Sequence, residues 1–304
     1  MHSNNLRAAM FMVISMAGFS VNDAITKTLF DDMSMAQILA VRGLMATALI
    51  AAYAAWDGAL AKWRLAMHPM MAIRVMGEAG GALTFFLALK EMPLPNVSAI
   101  LQALPLAVTM GAALVFNEPV GWRRWLAILA GFAGVLIIVR PGYEGFNSAA
   151  LWGVACVALC AARDLATKRL PANVPSLLVS TATSACVTVL GFLLIAPLGG
   201  WNPVSTSNYA MIALASVLLL FGYQFIILAM RLGDISFVAP FRYTALIWAM
   251  ALGFLIFGNV PDGPMIVGSV LVVASGLYAL YRERVRHRLV SASSVSPQMA
   301  PDGL

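Results

Sequence analysis

Long apolar runs separated by short polar clusters fill almost the whole chain. A membrane-crossing helix needs about 20 mostly apolar residues to span a hydrocarbon layer about 30 Å thick. Ten windows meet that length: 6–29, 34–56, 69–90, 93–116, 121–139, 149–170, 174–198, 208–230, 235–258 and 264–281. The breaks carry turn-forming residues. They include Asp31-Asp32, Asp57-Gly58, Pro93 with Pro95, Asn117-Glu118-Pro119, Arg140-Pro141-Gly142, Pro171 to Pro175, Gly199-Gly200, Gly233-Asp234 and Pro261 to Pro264. No connection is long enough for a soluble domain, and residues 283–304, rich in Ser and Pro after an Arg cluster, read as a disordered tail. The predicted fold class is an all-α integral membrane protein with ten transmembrane helices.

Composition agrees with the pattern. The 304 residues are 61% hydrophobic and 11% charged, against about 45–50% and about 25% in soluble domains. So few charges cannot clothe a soluble fold of this size, which excludes an ordinary cytosolic enzyme. The first window resembles a signal peptide in having Arg7 before an apolar run, but Asn22, Asp23 and Lys27 fall where cleavage would occur, so it is kept as a helix. Positive charge then sets direction. With a cytoplasmic N-terminus, twelve of the 19 Lys and Arg lie inside, and only Lys27, Lys90 and Arg140 lie outside. Arg42, Arg74, Arg163 and Arg242 remain within the spans. Both termini are expected in the cytoplasm, and the net charge of +6 is a topology signal, with the terminal Arg cluster near anionic lipid, rather than a nucleic-acid footprint.

Cys156, Cys160 and Cys186 lie in apolar stretches and read as small hydrophobes; His2, His68 and His287 lie in a terminus, a loop and the tail. No metal or cofactor site is expected. A Walker phosphate loop, a potassium filter and a nucleophile elbow are all missing from the sequence.

The chain repeats itself. An offset of 141 residues places Asp23 on Asp164, Thr26 on Thr167, Lys27 on Lys168, Val97 on Val238, Phe116 on Phe257 and Leu136 on Leu277. The repeats run over 6–140 and 149–282, five windows each. Since five is odd, the second half enters from the opposite side, giving two inverted five-helix repeats, an architecture that secondary transporters use. The segment beginning GDISFVAPFRYTALIWAM and its first-half counterpart beginning PNVSAILQALPLAVTM resemble the paired EamA-type repeats of the drug/metabolite transporter superfamily. That resemblance implies secondary transport through a cavity lined by the third, fourth, eighth and ninth helices. The Asn-Asp-x-x-x-Lys end of helix one and the Ala-Pro-Phe-Arg-Tyr start of helix nine are similar to uptake proteins for riboflavin and S-adenosylmethionine; other members export amino acids and related metabolites.

Charge inside a bilayer costs at least about 2.5–3.5 kcal/mol, so each such residue needs a partner or a wet cavity. Arg74 and Glu78, four apart, can meet on one helix face as a neutralised clamp or as a substrate or proton site. Glu78 is the first choice for a carboxylate that exchanges a proton. Gly77, Gly80 and Gly81, with Gly131 and Gly134, permit close approach. Asp23 with Lys27, and Asp164 with Lys168, read as one i,i+4 pair per half: a gate, or snorkelling interfacial pairs. Arg163 is expected to reach the cytoplasmic water. Arg242, two residues beyond Pro240, offers a fork for a carbonyl, carboxylate or phosphate, or neutralises a neighbouring carboxylate; Arg42 has the same two readings.

Gln102, and Gln224 with Tyr223, supply either cavity hydrogen bonds or helix-to-helix glue. Phe241, Tyr243 and Trp248 offer aromatic surface. The reading is a non-enzymatic bacterial inner-membrane transporter of a small organic metabolite, with the lipid bilayer as its other partner and no nucleic acid. It is driven by a proton or the solute gradient, with a homodimer left open. Riboflavin leads as substrate because its planar ring could stack on Phe241, Tyr243 or Trp248. S-adenosylmethionine, whose sulfonium would face Glu78 or Asp23, and an amino-acid metabolite exporter are the alternatives, and a membrane enzyme is the alternative of another class.

Overall fold

The computed structural model describes residues 2–140, 148–171, 173–233 and 235–294. Pro141, Gly142, Asp234 and the end of the tail lie outside them. Among the described residues, ten helical units are long and apolar enough to cross a membrane. They are α1 (His2–Leu29), α2 (Met35–Trp56), α3 (Pro69–Glu91), α4 (Leu94–Leu101 with Leu104–Phe116), α5 (Trp122–Val139), α6 (Ala149–Lys168), α7 (Ser176–Leu194), α8 (Thr206–Leu232), α9 (Ile235–Val238, Ala239–Tyr243 and Thr244–Phe257) and α10 (Gly263–Ser294).

Local chemistry explains the boundaries. Ser34 and Ser205 accept hydrogen bonds from the N–H groups of Gln37 and Asn208, satisfying donors that a helix start leaves free. His68 does the same for Met70, ahead of a proline that opens α3. Asn117 ends α4 and Gly258 ends α9 in the left-handed conformation, at φ 53° and 64°. They are the same position in the two repeats.

Three features depart from the sequence pattern. A 3-10 segment, Ala59–Met67, occupies the connection after α2. Two spans are interrupted: α4 at Gln102-Ala103, just before Pro105, and α9 by the 3-10 turn Ala239–Tyr243 around Pro240. A proline lacks the N–H that would continue the ladder, so both helices loosen there. Gln102 and Tyr243 are related by the 141-residue offset, so the break is itself repeated. Lastly, α10 runs on to Ser294, past residue 283, where the sequence predicts an irregular tail.

Every helix of one half packs on a helix of the other. The main pairs are α1 with α8, α3 with α6, α2 with α7 and α5 with α10, and α4 also meets α9. Shifting by five helices turns the first pair into the second and each of the others into itself. Thr47 of α2 bonds Thr188 of α7 at 3.0 Å, and these two residues are 141 apart, so the relation passes between them. Lipid chains are as apolar as leucine, so close backbone contact rather than apolar burial joins these helices. A Cβ on Gly134 would come within 2.8 Å of the Gly268 carbonyl, and one on Gly77 within 2.9 Å of the Leu159 carbonyl. Cys156 and Cys160 meet side by side within α6, sulfur to sulfur at 3.9 Å. Large apolar side chains such as Leu44, Leu49 and Leu255 point outward, as they must where the solvent is hydrocarbon.

Candidate functional site

The charges that stayed inside the spans converge. Glu78 of α3 accepts from Arg74, one turn earlier on the same helix, and from Arg163 of α6, each at 3.1 Å. Arg163 continues the chain to Asp164 at 2.8 Å. Gly77 makes this possible by letting α6 approach so closely that a Cβ would meet Arg163 itself. On the other side Arg42 of α2 donates to Asn22 of α1 at 3.4 Å, and Asn22 donates to Asp23 at 2.9 Å. The Arg42 guanidinium also lies over the Phe86 ring at 4.8 Å, a cation–π contact that helps hold a charge away from bulk water.

Tyr223 of α8 joins the two groups. Its hydroxyl lies within electrostatic range of Glu78, Arg163, Arg42 and Arg74. Its ring leans edge-on against Phe19 at 5.2 Å, yet the residue is 48% exposed. Arg242 completes the cluster, within range of Asp164 and Arg163. Side-chain exposure rises from 21% at Glu78 to 38% at Asp164, so the row of charges opens toward the C-terminal end of α6. Glu78 is nine residues into α3, about 14 Å along its axis, and Arg42 seven residues into α2, about 10 Å. In a bilayer about 30 Å thick the first depth falls near the middle and the second about a third of the way in.

Four guanidinium groups therefore face three carboxylates, a formal excess of one positive charge. Planar donor forks grouped with a partly exposed phenol suit a ligand with carbonyl, carboxylate or phosphate oxygens.

Several expectations are corrected. Lys27 does not pair with Asp23. Its ammonium donates to the carbonyls of Leu89 and Met92 at 2.6 and 2.7 Å, at the end of α3, where helix carbonyls lack internal partners and the dipole attracts a cation. Lys168 pairs with Glu118 rather than Asp164. The two lysines still hold equivalent places: Lys27 lies over Phe257 and Lys168 over Phe116, each at 5.8 Å. Arg163 is at the centre of the ion network instead of reaching out to water. The Tyr243 hydroxyl packs against Gly276 of α10. Phe241 joins an apolar cluster with Met12, Ala229 and Val238. Gln102 is buried at the α4 break, Gln224 is exposed on α8 beside Tyr223, and Trp248 is exposed on α9. Helices α1, α2 and α6 supply much of the cluster, beyond the four helices expected to line it.

Asn22 stands out only within the Asn-Asp-x-x-x-Lys motif, and Phe86 carries no signal. Arg163 carries one: the 141-residue offset sets it against Asn22, beside the aligned Asp23 and Asp164.

The chain matches the EamA-like transporter family over residues 6–140 and again over 147–281. It belongs to that family. Among its relatives, the riboflavin transporter of Rhizobium johnstonii is 29% identical over 222 residues, covering 71% of each chain. The S-adenosylmethionine uptake transporter of Rickettsia prowazekii is 23% identical, over 92% of this chain and 94% of its own. The pseudopaline exporter of Pseudomonas aeruginosa is 25% identical, over 86% and 92%. A solved crystal structure superposes with a TM-score of 0.63 over 91% of this chain and 97% of that one, at 17% identity, which shows the shared fold. This EamA-like protein is thus a multi-pass membrane transporter of small metabolites and not an enzyme.

Proposed function

We propose that this EamA-like protein is a bacterial inner-membrane secondary transporter that works by alternating access, with riboflavin as the leading substrate, taken up into the cell. The excess of positive charge around the open face of Tyr223 carries this reading. A neutral isoalloxazine-type ring can stack on an exposed phenol while Arg42, Arg163 or Arg242 donates to its carbonyls. That surface replaces Phe241 and Tyr243, which the fold uses for packing. The same excess disfavours a sulfonium such as S-adenosylmethionine and supports a second reading, an exporter of carboxylate-rich metabolites.

The halves are inverted, with both termini cytoplasmic, and a proton or the solute gradient supplies the driving force. Contacts on the face where α1 ends support a gate closed there. There Ser34 bonds the Gly200 carbonyl at 2.9 Å, Asn208 bonds Asp32 at 2.9 Å, and Gln37 exchanges two bonds with Asn202. Lys27 adds its grip on α3. The opposite end has the Lys168 and Glu118 pair, 54% and 43% exposed, which fits a cavity open to the cytoplasm.

Labelled riboflavin uptake into cells lacking their own transporter tests the substrate, with unlabelled metabolites as competitors. Uptake above the empty-vector control that unlabelled riboflavin, but not S-adenosylmethionine, suppresses is the expected result. Absence of vitamin uptake sinks riboflavin, and efflux of a carboxylate metabolite then favours the second reading.

A further inference from the structure

Two cavities outside the charged cluster join end to end between α5 and α10. The first, of about 530 Å³, is lined by Arg123, Arg124 and Arg282 together with Trp122. No carboxylate stands among its described lining residues. The second, of about 410 Å³, shares Trp122 and Arg123 and continues down the helix pair past Tyr278 and Leu126 to Ala130 and Leu271. One end is basic, the other is an apolar groove along two membrane-spanning helices, and Trp122, 67% exposed, stands where they meet. That is the polarity profile of a single molecule with an anionic head and an acyl tail.

The repeat shows how the pocket arises. At the other end of the same helix pair, Asp262 accepts from Arg140 and from the N–H of Met265, closing the corner. The 141-residue offset puts Gly121 where the second repeat has Asp262, and Tyr281 where the first has Arg140. A Cβ on Gly121 would meet nothing within 4 Å. The carboxylate that closes one corner is thus replaced by empty space at the other, while guanidinium groups remain around it.

We propose that this corner is a binding site for one anionic glycerophospholipid, its phosphate held by Arg123 and Arg282 and one acyl chain laid along Leu126, Ala130 and Leu271. Basic pockets between membrane helices suit such headgroups, and each Lys or Arg near the membrane surface strengthens anionic-lipid binding about fivefold. The site is independent of the transported substrate.

Native mass spectrometry of the full-length protein in a neutral detergent, titrated with phosphatidylglycerol, phosphatidylcholine and inorganic phosphate, tests it. Wild type should retain one phosphatidylglycerol in preference to phosphatidylcholine. Arg123→Gln with Arg282→Gln should weaken that retention about 25-fold. Ala130→Trp, which fills the groove and leaves the basic end intact, should also weaken it; a thermal melt identifies any variant that fails to fold, and either variant alone suffices for the test. Equal retention of both lipids, unchanged retention in a folded variant, or displacement by inorganic phosphate at concentrations matching the lipid's would overturn the proposal. So would a dimer that forms on this face and excludes the lipid.

Discussion

Replacing Glu78 with Gln removes the one carboxylate shared by two guanidinium groups while keeping the side chain's shape. Arg74 and Arg163 each stand 3.1 Å from Oε2, and all three side chains are 17–21% exposed. Removing one partner of a fully buried pair costs about 3–5 kcal/mol, and a charged hydrogen bond contributes about 1.5–3 kcal/mol. Partial exposure screens the pair, and Gln still offers an acceptor oxygen, so about 1–3 kcal/mol of destabilisation is expected. The formal excess of positive charge would rise from one to two. If repulsion between the two arginines is the cause, removing one of them as well should restore part of the loss. Glu78→Gln, Arg163→Gln and the double variant therefore form a cycle, read by reversible unfolding in detergent. A coupling of about 1–2 kcal/mol is expected. Costs that add to within about 0.3–0.5 kcal/mol would refute the shared-carboxylate reasoning. Proteoliposome uptake by folded Glu78→Gln measures the second role: the proposed proton exchange requires transport to lose its pH dependence, and an unchanged profile removes that role from Glu78.

Three further outcomes follow from other contacts. Gly134→Val would force a methyl against the Gly268 carbonyl and should lower stability by about 1–3 kcal/mol, whereas Gly263→Ala, with nothing within 4 Å, should change the melt little. Slight burial of Asp262 works against its charged form, but the hydrogen bonds from Arg140 and the Met265 N–H, with the charge of Arg140, outweigh it and hold its carboxyl below the ordinary 3.8. A depressed acid stabilises the fold above its unfolded value and loses that contribution as pH falls through the lower folded one. Melting temperature should therefore drop more steeply below pH of about 4 in wild type than in Asp262→Asn; parallel curves would contradict this. Lys27→Met removes both bonds to the end of α3, so amide exchange near Leu89–Met92 should quicken, and unchanged protection would show that the lysine holds nothing there.

Legibility followed the range of each interaction. The ten spans were readable because lipid leaves backbone groups no partner outside the helix, so length and apolarity suffice. Arg74 with Glu78 was readable because four residues bring two side chains to one helix face. The same rule failed at Asp23 and Lys27, where the free carbonyls at the end of α3 offered the ammonium a better partner. Arg163 reaches Glu78 across 85 positions, and only helix packing permitted by Gly77 brings them together. Tyr243 was misplaced because the 3-10 turn around Pro240 rotates it from the direction a regular helix would give.

The pairing of Thr47 with Thr188, and the matched lysine-over-phenylalanine contacts at the two ends, bear on energy as well as shape. Under the proposed inverted arrangement, a protein whose halves were identical would have two resting conformations of equal free energy, related by a two-fold rotation, and would idle half open to each side. Any preference must come from positions where the repeats disagree, among them Asn22 against Arg163, Arg42 against Thr183, Asp262 against Gly121, and the different partners of Lys27 and Lys168. Exchanging these polar residues between halves should shift the balance toward the other face.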